Sequence, residues 1–203
     1  MIKAVLFDFG GVLTEGGKLG SIRGAFARAY DCEPDDVQLD QSVRAAFCGT
    51  GTDQAMIEAT NRLNPSYSPA TIAIFAKDAE FFVRCTAVYA LAERLRELGI
   101  ATGVFSNVFK VTADVLQKDG FYDGFGPLFL SCNYGLLKPE KPFYQQVLRE
   151  LEYEPSEILF IDDKDEFLQP ARELGMHTVL ATSPQQIVTD TAALIKQEND
   201  QEL

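Results

Sequence analysis

The chain has 203 residues, of which 46% are hydrophobic and 24% are charged, and its formal net charge is −12 at pH 7. This composition indicates a globular protein with a sizeable core, and the negative charge argues against nucleic acid or an anionic membrane as a partner. The sequence contains no run of about eighteen apolar residues, so no membrane span is predicted. Its four cysteines include no Cys-x-x-Cys pair, which indicates reduced thiols and a cytoplasmic location.

The first predicted element is a short apolar run that ends on an acid, KAVLFD at residues 3–8. Four similar β-rich runs follow, at 101–106, 126–131, 158–162 and 177–181. From residue 87 onward they alternate with segments of helical pattern, at 87–98, 110–119, 140–152, 165–174 and 184–198. The last helix, 184–198, has clear start signals. Ser183 is its predicted N-cap, Pro184 its first residue and Gln186 the capping-box partner. Because the strand runs are continuously apolar, the sheet is predicted to be parallel and covered on both faces.

Residues 16–86 differ, since no β-rich run interrupts them. They have the pattern of four consecutive helices: SIRGAFARAY, DDVQLDQSVRAAF, TDQAMIEATNRL and SPATIAIFAKDAEFFVR. The predicted fold is therefore α/β, a doubly wound parallel sheet built from residues 1–15 and 87–203 with an inserted four-helix cap at 16–86. We expect the cap to close over the core about hinges near residues 14–16 and 86–90.

Polar side chains stand where the predicted strands end. They are Asp8 after the first strand, Ser106 and Asn107 after the second, Lys138 in the loop after the third, and Asp162 and Asp163 after the fourth. Aspartate after a strand is commonly a helix cap or a turn former, and Ser-Asn is common in loops, but ligands of open α/β sheets bind beyond these strand ends. As a set they favour phosphoryl transfer with a carboxylate nucleophile and Mg²⁺, because hard cations take oxygen ligands while a lysine and a hydroxyl can hold phosphate oxygens.

Four stretches resemble the motifs of the haloacid dehalogenase superfamily and occur in the order of that family. They are FDFGGVL, VFSN, GLLKPEKPFY and ILFIDDKDEFLQPARELGM. The helical insert resembles the family's C1-type cap, so the resemblance covers essentially the whole chain and implies a Rossmann-like core. Within the family, the last stretch is similar to the phosphatase domain of soluble epoxide hydrolase and to bacterial glucose-1-phosphate phosphatases.

The resemblance implies a role for each polar residue. Asp8 would be the catalytic nucleophile that forms an aspartyl-phosphate, and Lys138 would neutralise both this carboxylate and the phosphate. Mg²⁺ would be bound by Asp8, the Gly10 carbonyl, Asp163 and Asp162, with Asp163 ranked ahead of Asp162 as the direct ligand. The phosphate would be held by Ser106, Asn107, Gly11 and Lys138. The expected activity is Mg²⁺-dependent hydrolysis of a small phosphorylated metabolite, such as a sugar phosphate.

Two positions depart from the family pattern. Most phosphatases of the family carry a second aspartate at the place of Gly10, where its side chain protonates the leaving oxygen, although relatives of the FDxG type have glycine. The loss of that general acid matters most for poor leaving groups, and Thr14 and Glu15 are the nearest candidates to replace it. Phe167 stands where relatives often have an asparagine that supports the acidic pair.

Two other functions stay open. A 2-haloacid dehalogenase shares the fold, the nucleophile and the lysine, but it needs no metal and typically has a DxYGT start without an acidic pair. A catalytically weak member that binds a phosphorylated metabolite or a protein partner would account for Gly10 and Phe167.

Overall fold

The computed structural model describes residues 1–15, 48–49 and 82–202. The predicted four-helix cap at 16–86 thus lies mostly outside the described residues and stays a prediction, as do the two domain ranges that depend on it. Within the described ranges, no helix combines the length and the apolar character needed to pass through a bilayer.

The described core contains five strands and six α-helices. The strands are β1 Ala4–Phe7, β2 Ala101–Ser106, β3 Leu128–Leu130, β4 Ile158–Asp162 and β5 His177–Leu180. The helices are α1 Thr86–Glu97, α2 Lys110–Lys118, α3 Ser131–Tyr134, α4 Lys141–Leu151, α5 Asp165–Glu173 and α6 Pro184–Asn199. A tight turn, Phe9–Leu13, follows β1, and a 3-10 turn, Pro155–Glu157, precedes β4.

The strands form one parallel sheet in the order β3-β2-β1-β4-β5. The predicted doubly wound parallel sheet is therefore confirmed. All five predicted strands and all five predicted helices of the core are also confirmed, with ends that differ by at most two residues. The short helix α3 and the 3-10 turn were not predicted, because each is too brief to show a helical period.

Both faces of the sheet are covered, as the continuous apolar runs predict. Neighbouring strand residues point to opposite faces, so Val5 and Phe7 belong to a first hydrophobic cluster and Leu6 belongs to a second. The first cluster includes side chains of α1, α2 and α6, and the second includes side chains of α4 and α5. Every position of β1 is buried, which is why the strand shows no alternation of polar and apolar residues.

The start of α6 follows the predicted capping pattern with one difference. Ser183 is the N-cap, and its Oγ accepts a hydrogen bond from the Gln186 backbone N–H at 3.2 Å. The Gln186 side chain does not complete the capping box on the Ser183 backbone. Its Oε1 instead accepts from the N–H of Thr182 at 3.0 Å, one residue earlier.

The two chain crossings between the core and residues 16–81 lie side by side. Thr14 and Arg84 form an antiparallel bridge, the Glu15 N–H donates to the Val83 carbonyl at 2.8 Å, and the Cys85 N–H donates to the Leu13 carbonyl at 2.9 Å. Of the two predicted hinges, the one at 14–16 coincides with this bridge. Residues 86–90 instead form the start of α1, so the second crossing lies just before them.

Candidate active site

The polar residues predicted from the strand ends meet at one edge of the sheet. Asp8 directly follows β1, the central strand, and its backbone N–H donates to the Ile161 carbonyl of β4 at 2.9 Å. Because β2 and β4 flank β1, Ser106 at the end of β2 and Asp162 at the end of β4 stand on either side of Asp8. All three side chains are buried.

Lys138 joins two of the carboxylates. Its Nζ donates to Asp8 Oδ1 at 2.9 Å and to Asp162 Oδ2 at 2.6 Å, and the lysine side chain has no exposed surface. Burial by itself would lower the pKa of the Lys138 ammonium. The charges of Asp162 and Asp8 outweigh that effect and raise this pKa above its ordinary value, so the lysine remains a cation at neutral pH.

Asn107 fixes the backbone of Lys138. Its Nδ2 donates to the Lys138 carbonyl at 2.9 Å, and its Oδ1 accepts from the Lys138 N–H, also at 2.9 Å. The sequence predicts a phosphate contact through the Asn107 backbone, and that contact stays a prediction. The role of the side chain was missed, because the bonded backbone lies 31 residues away and the tendency of asparagine to bond its own local backbone gives no signal for such a contact.

The adjacent acids Asp162 and Asp163 have different surroundings. Both oxygens of Asp162 are occupied, because Oδ2 accepts from Lys138 and Oδ1 accepts from the Lys164 backbone N–H at 2.9 Å. Asp163 Oδ1 is buried and has no hydrogen-bond partner among the described residues. A buried carboxylate oxygen without a hydrogen-bond donor lowers the stability of the fold. A cation bound at Asp163 Oδ1 would remove this cost.

The three acids form a cluster of like charge. Asp8, Asp162 and Asp163 each present one oxygen, and these oxygens lie within 4.8 Å of one another. Burial raises the pKa of Asp162 to about 7 against the opposing charge of Lys138, and Asp8 adds to the increase. Burial and the charge of Asp8 also raise the pKa of Asp163. One ammonium cannot balance three carboxylates, so the cluster fits a divalent cation that takes oxygen ligands.

The turn after β1 brings two glycines to the cluster. Gly11 has φ +78°, and a Cβ there would lie 2.9 Å from Asp163 Oδ2, so only glycine lets the backbone pass this close to the acid. The Gly11 N–H donates to Thr14 Oγ1 at 3.1 Å. The contact of Gly11 with phosphate remains a prediction. For this contact, the Gly11 N–H must share or release its hydrogen bond to Thr14 Oγ1. Gly10 has φ −74° and ψ 121°, which is ordinary extended backbone.

Glu15, a candidate to replace the missing general acid, lines a cavity beside the acidic cluster. A cavity of about 490 Å³ lies beside the cluster, and its described walls include Thr14, Glu15 and Asp163. The described walls do not include Asp8 or Lys138. Glu15 therefore shares this cavity with Asp163.

Comparison with known proteins gives a match that spans most of the chain. Residues 2–175 match the model of the haloacid dehalogenase-like hydrolases. Bifunctional epoxide hydrolase 2 of Rattus norvegicus is 40% identical over 70 residues, which are 34% of this chain and 11% of that protein. A sesquiterpene phosphatase of Aspergillus oryzae is 30% identical over 88 residues, which are 43% of this chain and 45% of that protein. The matched part is thus about a tenth of the first relative's length.

Solved structures share the fold at low sequence identity. A haloacid dehalogenase family enzyme of Bacteroides thetaiotaomicron, solved in complex with magnesium and inorganic phosphate, has a TM-score of 0.68 and 24% identity over 90% of this chain and 96% of that one. An L-2-haloacid dehalogenase of Xanthobacter autotrophicus with chloropropionic acid covalently bound has a TM-score of 0.64 and 19% identity, over 100% and 90% of the two chains. The fold alone is therefore compatible with either chemistry.

Proposed function

The chain belongs to the haloacid dehalogenase-like hydrolases, and from this premise we propose that it is a Mg²⁺-dependent phosphatase of small phosphomonoesters. The observation that carries the proposal is the cluster of buried Asp8 and Asp162 and half-buried Asp163 with Lys138. A dehalogenase has no need of a third carboxylate. A metal-dependent phosphatase does, and one of the relatives is a phosphatase.

Asp8 and Asp163, with the carbonyl of Gly10, would hold the Mg²⁺. The orphaned Oδ1 of Asp163 supports this choice, since both oxygens of Asp162 are already occupied by Lys138 and the Lys164 N–H. Asp162 would then orient the lysine. When bound, the cation would offset the surplus negative charge of the cluster and the charge of the phosphate.

Asp8 would act as the nucleophile. Its Oδ1 is fixed by Lys138 at 2.9 Å, which gives the carboxylate a defined orientation for in-line attack. An Asp8 oxygen would form a bond to phosphorus while the ester P–O bond breaks, and the leaving alkoxide takes a proton from water. Water would then hydrolyse the aspartyl-phosphate, which releases inorganic phosphate and restores the carboxylate.

The remaining residues would bind the phosphate and keep the lysine in place. The Lys138 ammonium would neutralise charge on both the nucleophile and the phosphate oxygens, as a preorganised cation in a buried site does most effectively. Ser106, buried at the end of β2, would donate its hydroxyl to a phosphate oxygen. The Asn107 side chain would hold the Lys138 backbone while its own N–H, together with Gly11, faces the phosphate.

The proposed substrate is a small phosphorylated metabolite, such as a sugar phosphate. The test is a panel of phosphate esters and 2-chloropropionate, assayed with Mg²⁺ and with excess chelator. The proposal is supported if phosphate release requires Mg²⁺ and its rate falls roughly 10³-fold or more in Asp8→Asn. Release of chloride without metal would reject it in favour of dehalogenation. Asp190→Asn, an exposed acid on α6, is the matched control and should leave the rate unchanged.

A further inference from the structure

Lys138 is surrounded by more than its two carboxylates. The ring centroids of Phe105, Phe160 and Phe167 lie 5.3, 5.0 and 5.0 Å from its Nζ. An ammonium has three N–H donors, and in the described part of the chain two of them have acceptors, on Asp8 and Asp162. The three rings lie around the same ammonium, and their π faces attract a cation.

The three rings differ in their other contacts. Phe105 and Phe160 are fully buried strand residues of the second hydrophobic cluster, and their ring centroids are 5.0 Å apart. Phe167, in the first turn of α5, is half-buried and belongs to neither hydrophobic cluster of the described residues. Its ring lies beside a second cation, because the Lys164 Nζ is also 5.0 Å from its centroid. The Phe167 ring thus contacts two ammonium groups and does not fill the core.

The backbone under this ring is held in place. The hydroxyl of Tyr144, a buried residue of α4, donates to the Phe167 carbonyl at 2.6 Å. The Phe167 N–H donates to the Lys164 carbonyl at 3.0 Å, which closes the first turn of α5. These two hydrogen bonds hold the backbone that carries the ring relative to both α4 and the strand end that carries Asp162.

We propose that Phe167 is a positioning residue, whose ring lies against one side of the Lys138 ammonium and holds it against Asp8. The role given to Lys138 rests on the proposed function. Many relatives are expected to have an asparagine here, which would offer hydrogen bonds to the site. Phenylalanine offers a π face instead and keeps water away from the ammonium, and exclusion of water strengthens the attraction between Lys138 and its carboxylates.

The first test compares two substitutions that separate the ring from its apolar bulk. Phe167→Leu keeps an apolar side chain without a π face, and Phe167→Tyr keeps the ring. We expect kcat for a phosphate ester to fall about tenfold in the leucine variant, with little change in KM, and to stay within about twofold in the tyrosine variant. Leu174→Ala, at the end of α5 and packed on the second cluster, is the control, which should lower Tm without lowering kcat.

The second test needs no enzymatic activity. An amine-acylating reagent is applied to wild type and to Phe167→Leu, and modification of each lysine is followed by peptide mass spectrometry. Lys138 should be labelled several-fold faster in the variant, while the exposed Lys141 should be labelled equally in both proteins.

These measurements separate the inference from the proposed function. Faster labelling of Lys138 in a protein that hydrolyses no phosphate ester would support the contact and reject the phosphatase proposal. Equal labelling of Lys138 in the two proteins would overturn the inference. An equal loss of kcat in the leucine and tyrosine variants would overturn it as well, because the ring would then not be the feature that matters.

Discussion

The side-chain amide of Asn107 is bonded at both ends to one residue, Lys138, through two hydrogen bonds of 2.9 Å to its backbone N–H and carbonyl. Asn107 follows β2 and Lys138 lies between α3 and α4, so this pair ties the loop that carries the lysine to the end of the strand next to β1. The position of the Lys138 ammonium beside Asp8 therefore depends on Asn107, whose side-chain amide bonds to the lysine backbone.

Removal of this amide should displace the lysine. In Asn107→Ala both hydrogen bonds are lost, each with a contribution of about 1 kcal/mol to stability, and we expect kcat to fall about ten- to a hundredfold because the ammonium is no longer held in register with Asp8. Steady-state kinetics and thermal unfolding measure the two effects. Asn133→Ala, at an exposed position of α3, is the control. A lower Tm with an unchanged kcat would mean that the amide serves stability alone.

The two adjacent acids should respond in opposite ways when no metal is present. Asp163→Asn removes a charge whose Oδ1 has no partner, so the metal-free protein should become more stable. Asp162→Asn removes a charged partner of the buried Lys138, and loss of one member of a buried ion pair costs about 3 kcal/mol. Thermal unfolding in excess chelator compares these changes. A loss of stability in Asp163→Asn would contradict the idea that this acid awaits a cation.

The same two variants also differ in their need for Mg²⁺. We expect the Mg²⁺ concentration for half-maximal activity to rise about tenfold or more in Asp163→Asn, and to rise less in Asp162→Asn, which acts through its neighbours. Activity is titrated against Mg²⁺ for both variants and for wild type. Equal or reversed effects would show that the ranking of Asp163 as the direct ligand is wrong.

A methyl group at Gly11 should disturb the acid beside it. Gly11→Ala combines a positive φ with a Cβ 2.9 Å from Asp163 Oδ2, whereas Gly99→Ala has a similar φ of +80° and no atom within 4 Å of its Cβ. Both variants should lose about 1–2 kcal/mol of stability through backbone strain. Only Gly11→Ala should also require more Mg²⁺. If the two variants show the same Mg²⁺ titration, the contact with Asp163 has no effect on metal binding.

Restoring a general acid at position 10 should widen the range of substrates. Gly10 has a negative φ, so its backbone conformation is open to aspartate. Wild type should cleave aryl phosphates well and alkyl phosphates poorly, because no group protonates a poor leaving oxygen, and Gly10→Asp should reduce this dependence on leaving-group pKa. Rates are measured for a series of esters, with folding and Mg²⁺ affinity checked in parallel. A wild-type rate that is independent of the leaving group would show that another residue already supplies the proton.

Much of the core could be predicted because its signals are local. Each strand is a continuous apolar run that ends on a polar residue, and the parallel sheet then brings those ends to one edge. Asp8, Ser106 and Asp162 were therefore placed together without knowledge of any long-range contact. Their chemical roles came from the family resemblance and remain proposals.

The contacts that refine the site could not be predicted, because they depend on side-chain packing between distant segments. The amide of Asn107 meets the Lys138 backbone across 31 residues, and the Phe167 ring lies over an ammonium that comes from another loop. From the sequence, Phe167 was identified only as a departure from the family motif, and its contact with Lys138 was not predicted. The backbone angles at Gly10, which decide whether a side chain is tolerated there, also have no signal in a sequence that contains glycine at the position.

The order of strands in the sheet also constrains how this chain reaches its native state. The central strand β1 pairs at Ala4 with Ala101 on one side and with Ile158 on the other, so neither neighbour is close in sequence. Each pairing therefore brings together residues that are far apart in sequence, and the entropy cost of closing such a loop slows folding. During synthesis the apolar strand β1 emerges well before either neighbour. Its two edges therefore stay unpaired until residues 101–106 and 158–162 have been made, and unpaired edges of an apolar strand favour aggregation.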